Sequence, residues 1–360
     1  MITGNKGEWG EIYVFLKLLA DGRLYAADKN LNKISDVYYP IISILRKVSN
    51  KTYIYKRNTN IKVINENTGN TIVEISVEDF KHKSIKLFNK IKVEKGAFGC
   101  PDIEDFLKNI RIESIKAPAD KKEDITLVVH DLQTGLAPEL SFSIKTMLGS
   151  PSTLLNASKA TNFTFKLVNP VTTLKDSNGP RYGEDEDLKL KNMLMQKESE
   201  GYDLQFHNMA NNTFESNLRM VDFLLPQILG EVLKIYYLNK GTTLTEIAEL
   251  LQKNDPMDFK EDSDRFYSHK LKNFLLDVAL GMKPATRWDG SYDAAGGYII
   301  VKDDGDILCY HLLREGEFKD YLLENTKLET PSTSRYNFGT LYELDGELFI
   351  DLNLQIRFIK

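Results

Sequence analysis

An aspartate near the start of one strand-like run and a lysine near the end of the next, Asp124 and Lys145, form the pair in this 360-residue sequence best suited to chemistry. A carboxylate can hold a hard cation, and a lysine beside it can orient or deprotonate a water. Together these perform metal-assisted phosphodiester hydrolysis. More familiar sites are missing: there is no Gly-x-Ser-x-Gly elbow, no Gly-x-x-x-x-Gly-Lys-Ser/Thr phosphate loop, no Gly-x-Gly-x-x-Gly and no His-Glu-x-x-His. The five histidines, His82, His130, His207, His269 and His311, are too scattered to build a metal site by local spacing. An Asp at a strand start also serves as a turn cap, and a Lys at a strand end as a solvated charge. Spacing alone therefore leaves both readings open.

The elements that would position the pair are legible. Residues Asp124 to Lys145, DITLVVHDLQTGLAPELSFSIK, alternate in two runs around Gly135 and Pro138, which predicts a β-hairpin. Ile125, Leu127 and Val129 share one face of its first strand. In the second strand Leu140, Phe142 and Ile144 share one face, and Glu139, Ser141, Ser143 and Lys145 the other. Ile12, Phe15, Leu18 and Leu19 recur at helical spacing, predicting a helix from about Lys6 to Ala20 with Asn5 as its cap. The same stripe carries Glu8 and Glu11 on or beside its apolar face, so at least one carboxylate is expected to point inward. A second helix is expected over Tyr38 to Lys47, then short strands from Lys51 to Val77. Residues Lys81 to Lys95 hold six lysines on an amphipathic pattern, either a solvated helix face or a phosphate-contacting one. Thr243 and Glu246 form a capping box before TEIAELL, as in the first helix of a helix-turn-helix or in any capped amphipathic helix.

Composition excludes several classes. With 42% apolar and 28% charged residues the chain is globular, and no apolar run approaches the roughly 20 residues of a membrane span. The opening MITGNKGEWGEIYVF lacks the basic-then-apolar pattern of a secretion signal, so a cytoplasmic location is expected. Cys100 and Cys309 have no partners at metal-ligand spacing, and a free thiol at each is expected. The net charge of −5 excludes a uniformly basic nucleic-acid coat but not a local basic face.

Asp124, Ser143-Ile144-Lys145, the helix GEWGEIYVFLKLL and the passage GSPSTLLNASKATNF resemble a PD-(D/E)XK nuclease of the HpaII-type restriction endonucleases. ATRWDGSYDAAGGYIIVK, STSRYNFG and LNLQIRF near the carboxyl end resemble the same family, so the likeness spans nearly the whole chain. It implies an α/β (α+β) fold: a restriction-endonuclease-like core of mixed sheet flanked by helices, with helical and β-rich additions towards the carboxyl end. The expected regions are a nuclease core at 1–175, a linker at 176–187, a mainly helical region at 188–284 and a β-rich DNA-recognition region at 285–360. The implied activity is Mg²⁺-dependent hydrolysis of double-stranded DNA at a short GC-rich site, CCGG or related, leaving 5′-phosphates. A companion DNA methyltransferase would protect the host, and a palindromic site invites a homodimer.

Two positions depart from the motif. Glu123 stands where its name has Pro, a residue without a chemical role. Ser143 stands where a second acid is expected, and Glu139 and Glu11 are the candidate replacements as metal ligand. If neither replaces it, the chain is a non-catalytic, sequence-specific DNA-binding protein with a disabled nuclease site. Candidates for base reading are Arg335 and Asn337 in a polar loop, Arg287 beside Trp288, and Asn353, Gln355 and Arg357 on one face of the final strand. Arginine gives guanine a bidentate pair, and Asn or Gln does the same for adenine.

Overall fold

The computed structural model describes residues 2–48, 51–115, 123–132, 135–169 and 186–360. Residues 176–185 of the expected linker lie outside them. The remaining two positions, 186 and 187, open the helix Glu186–Ser199. The fold is mixed α/β, in two compact units. One comprises Met1–Ser152 and Tyr292–Tyr321 with Lys360, the other Thr153–Ser291 and Leu322–Ile359. The linear division expected at 285 is therefore not where the units part. Residues 292–321, expected in a recognition region, complete the first unit, because Gly297–Val301 pairs with the predicted hairpin and Ile307–His311 joins Gly297–Val301 to Arg23–Ala27.

The first unit is built on a nine-stranded mixed sheet. Its order is Arg23–Ala27, Ile307–His311, Gly297–Val301, Glu139–Thr146, Ile125–Val129, Lys33–Val48, Lys51–Arg57, Asn60–Asn65 and Thr71–Ser76. The predicted hairpin is present and antiparallel. Gly297–Val301 lies parallel to its second strand, with Tyr298 opposite Ser143 and Ile300 opposite Lys145. Trp9, Ile12, Phe15 and Leu19 of the first helix pack with Ile44, Leu127, Phe142 and Ile299 of the sheet in one core.

That helix runs Lys6–Asp21 and is capped as expected. Asn5 Oδ1 accepts the Glu8 N–H at 3.0 Å, and Glu8 Oε2 accepts the Asn5 N–H at 2.8 Å. Trp9 ties it down further by donating from Nε1 to the Phe98 carbonyl at 2.9 Å. The lysine-rich stretch is the helix Val77–Val93, with Phe80, Leu87 and Ile91 buried. Outside, Lys81 pairs with Glu78, Lys86 with Asp102 and Lys90 with Glu94.

The helix expected over Tyr38–Lys47 is instead part of the long strand Lys33–Val48. Its buried Tyr39, Ile41 and Ile44 mimic helical spacing because a β-bulge between Ile41 and Ser43 puts Ile41 and Ile44, three apart, on one face. Pro40, which removes a helix-interior donor, and the β-branched Ile41 and Ile42 decide for the strand. The second unit holds a four-stranded sheet around Asn162–Val168 and Glu347–Asn353, a three-stranded one around Ile356–Phe358, and the helices Leu225–Tyr237, Leu244–Asn254 and Ser263–Leu280. The Thr243–Glu246 capping box starts the second of these helices.

Gly297 fixes how its strand enters the sheet. Its φ is 108°, and a Cβ there would lie 1.9 Å from the Tyr310 carbonyl oxygen. Gly297→Ala should therefore destabilise the protein by about 2–4 kcal/mol, through backbone strain and overpacking together. Urea unfolding measures this, and an unchanged midpoint would contradict the close approach.

Candidate active site

The register of the hairpin assembles the first part of the site. Ile125 lies opposite Phe142, so Asp124 comes level with Ser143. The Asp124 N–H donates to the Phe142 carbonyl at 2.9 Å. Asp124 Oδ2 accepts from the Ile144 N–H at 2.6 Å and from Ser143 Oγ at 3.0 Å. Both bonds fall on Oδ2, and Oδ1 takes part in neither. Ser143 Oγ also accepts from Lys145 Nζ at 3.0 Å, since residues two apart on a strand share a face. Aspartate, serine and lysine are thus joined in one chain of hydrogen bonds.

Glu11 approaches from the first helix. Glu8 is spent on the cap, so Glu11 is the carboxylate that turns inward. Its Oε2 is shut off from solvent and has no hydrogen-bond partner. Burial, and then the negative charge of Asp124, push its pKa up to about 8, against the opposing pull of Arg46 and Lys145. Burial also draws the Lys145 pKa below the usual lysine value, and Asp124 and Glu11 offset part of that.

Arg46, which the sequence did not single out, belongs to this electrostatic group. It sits on the long strand and donates from Nη2 to the Ser114 carbonyl at 2.7 Å. A lone arginine in the apolar run IISILRKV was the available signal.

Glu139 is not part of the site. It is exposed and pairs with Val128, four residues up the strand from Ser143, or about 13 Å away at strand rise. Its face matches the expectation, but the strand carries it too far along.

Among the described residues no group of three or more His, Cys, Asp or Glu gathers as a metal cluster. A cation here would rest on Glu11 and Asp124 and complete its shell with water or backbone oxygen. Two hard oxygen donors, one of them buried without a partner, fit Mg²⁺, which keeps several of its waters.

The expected base readers separate by burial. Arg335, Asn337 and Arg287 are exposed. Arg335 lies over the Tyr336 ring, 5.4 Å from its centroid. Asn353 is buried at 1% exposure, and its Nδ2 donates to the Ser158 carbonyl at 2.8 Å and to Asn162 Oδ1 at 2.6 Å. It is a structural residue, and the expectation of groove contact is corrected. Arg357 is paired with Glu329 at 2.8 Å, and Gln355 is half-buried where the strand breaks. The shared face drawn from alternation is thus interrupted, because Glu347–Asn353 and Ile356–Phe358 belong to different sheets.

The HpaII restriction endonuclease family model matches residues 5–358. The chain belongs to that family. It is 43% identical over 362 residues to a type II restriction enzyme, HpaII, of Haemophilus parainfluenzae, covering 99% of both chains. Membership makes it a type II restriction endonuclease, a site-specific deoxyribonuclease. No solved structure matches significantly. Among the described residues no helix is long and apolar enough to cross a membrane.

The raised Glu11 pKa has a thermodynamic consequence. Between the ordinary value of 4.5 and about 8 the folded protein keeps a proton that the unfolded chain has released. Glu11 therefore costs stability progressively as pH rises through that window, and Glu11→Gln removes the cost. In EDTA, the melting temperature of Glu11→Gln should gain on the parent's as pH is raised across the window. A pH-independent difference would show that Glu11 titrates normally.

Proposed function

We propose that this type II restriction endonuclease uses a PD-(D/E)XK site for Mg²⁺-dependent hydrolysis of double-stranded DNA at a short GC-rich sequence, CCGG or related. In this reading Asp124 and Glu11 hold the cation, and Lys145 serves the attacking water. The observation that carries it is that Glu11, whose Oε2 is buried without a hydrogen-bond partner, interacts electrostatically with Asp124 and Lys145 of the Asp124–Ser143–Lys145 chain. Glu11 supplies the acid that Ser143 lacks, which favours a working nuclease over a disabled DNA-binding relative.

Asp124 and Glu11 would hold Mg²⁺, which would supply Lewis-acid neutralisation of the phosphate charge. The protein's own groups do the rest. Asp124 is oriented by the Ile144 N–H and the Ser143 hydroxyl, so its Oδ1 is fixed before substrate arrives. Lys145, its pKa lowered by burial, orients the water and can take part in moving its proton. Attack in line with O3′ breaks the P–O3′ bond, leaving a 5′-phosphate and a 3′-hydroxyl. Glu11 must give up its proton before it can hold the cation, so Mg²⁺ affinity should rise as pH approaches 8. A companion methyltransferase protecting the same site, a two-fold dimer on a palindrome and a cytoplasmic setting complete this reading.

Plasmid digestion tests the chemistry. Discrete fragments should appear with Mg²⁺ and vanish with EDTA, and sequencing their ends gives the site and the cut position. Lys145→Ala, Asp124→Asn and Glu11→Gln should each lower turnover by roughly 10³-fold or more with specific DNA binding largely kept, because the loss falls on the transition state. Glu139→Gln should cleave like the parent. Near-normal turnover in Lys145→Ala or Asp124→Asn would remove the site.

Arg335 is the leading base reader, because its guanidinium is exposed beside the hydroxyls of Ser332, Thr333 and Ser334, which can hold the neighbouring phosphates. Loss of one bidentate guanine contact costs about 1–3 kcal/mol, so Arg335→Ala should weaken specific binding roughly 5- to 150-fold and random-DNA binding far less. Equal losses on both would make Arg335 a backbone clamp and leave the reading to Arg287 or Asn337.

A further inference from the structure

Lys145 reaches the site on a long, rotamer-rich side chain, and one hydrogen bond to Ser143 does not by itself fix where its ammonium points. A second support lies on the neighbouring strand. Tyr298 is level with Ser143 across the parallel pairing, so the two side chains leave the sheet on the same face as Lys145. The Lys145 Nζ lies 5.1 Å from the centroid of the Tyr298 ring, within the range of about 6 Å over which a ring face attracts a cation.

The ring itself is held. Tyr298 is 1% exposed and packs on Phe318 at 5.1 Å, which stacks on Tyr310 at 5.6 Å. Gly297, which admits no side chain, lets the strand pass close to the Tyr310 carbonyl on its other neighbour.

We propose that Tyr298 is a positioning residue for the cleavage reaction, its buried ring face fixing the Lys145 ammonium in concert with the Ser143 hydroxyl. An ammonium has three donors. Ser143 accepts one, the ring covers a second side, and the remaining direction is left for a water or a phosphate oxygen at the reacting centre. Tyr298 thus takes over at a distance part of the work an acid at position 143 would do, by giving the lysine a fixed electrostatic partner. This inference rests on Lys145 acting in catalysis as proposed above.

The test separates ring electrostatics from packing. Single-turnover cleavage is measured at saturating Mg²⁺, specific-DNA affinity with Ca²⁺ in its place, and folding by thermal melting. Tyr298→Leu should slow cleavage roughly 5- to 30-fold, as expected for losing one desolvated cation–ring contact, with DNA affinity unchanged. Tyr298→Phe, which keeps the ring face, should recover most of that rate.

Should Tyr298→Leu fold poorly, phenylalanine analogues at position 298 carrying one, two and three ring fluorines keep the shape while draining the ring face of negative potential. The cleavage rate should fall stepwise with each fluorine. A rate indifferent to fluorination, with Lys145→Ala inactive, overturns the role of Tyr298 and leaves the catalytic reading intact. Full activity in Lys145→Ala overturns both.

Discussion

Burial and the negative charge of Asp124 together make ionisation of Glu11 costly. Much of the surrounding structure answers that constraint. Asp124 is eased by the Ile144 N–H and the Ser143 hydroxyl, whereas Glu11 Oε2 receives no bond and its carboxyl is held protonated up to about pH 8. Arg46 and Lys145 supply the nearby positive charge, but not enough to cancel the burial. The Glu11 carboxyl is thus under-compensated by the protein's own groups.

Holding such a site open takes rigid supports. The first helix presents Glu11 only because its amino end is locked by the reciprocal Asn5–Glu8 cap and its body by the Trp9 bond to the Phe98 carbonyl. Asp124 and Lys145 lie on the two strands of one hairpin, so their spacing depends on the backbone ladder more than on side-chain packing. The carboxyl-terminal strand Gly297–Val301 is then added in parallel on the other side of the lysine-bearing strand, burying the face from which Lys145 projects. Residues far apart in sequence are thereby held side by side by the backbone ladder.

Ser143 illustrates how an altered motif can keep its geometry. An acid at that place would bring a further carboxylate beside Asp124, within reach of the Glu11 carboxyl that the Asp124 charge already disfavours from ionising. A hydroxyl instead donates to Asp124 and accepts from Lys145, linking the two without adding charge. The first helix instead brings the Glu11 carboxyl into the same electrostatic group.

What the sequence determined by itself was whatever depends on local periodicity: the capped first helix, the hairpin, the inward carboxylate of the Glu8–Glu11 stripe, and the pairing of Asp124 with Lys145 at matching ends of two strands. A period of two or of 3.6 is imposed by backbone geometry, so side chains one or two turns apart reveal their faces without a fold. It misjudged Tyr38–Lys47, where a β-bulge between Ile41 and Ser43 breaks the alternation that distinguishes a strand and leaves Ile41 and Ile44 three apart on one buried face. Tertiary structure alone decided the rest. Glu139 and Glu11 were both candidates until strand register put one about 13 Å away and the first helix carried the other into the electrostatic group of Asp124 and Lys145. Asn353 looked like a groove residue until Ser158 and Asn162 closed over it. Tyr298 carried no signal at all, because its meaning comes from a parallel pairing with a strand some 150 residues earlier, and contacts of that separation leave no trace in local pattern.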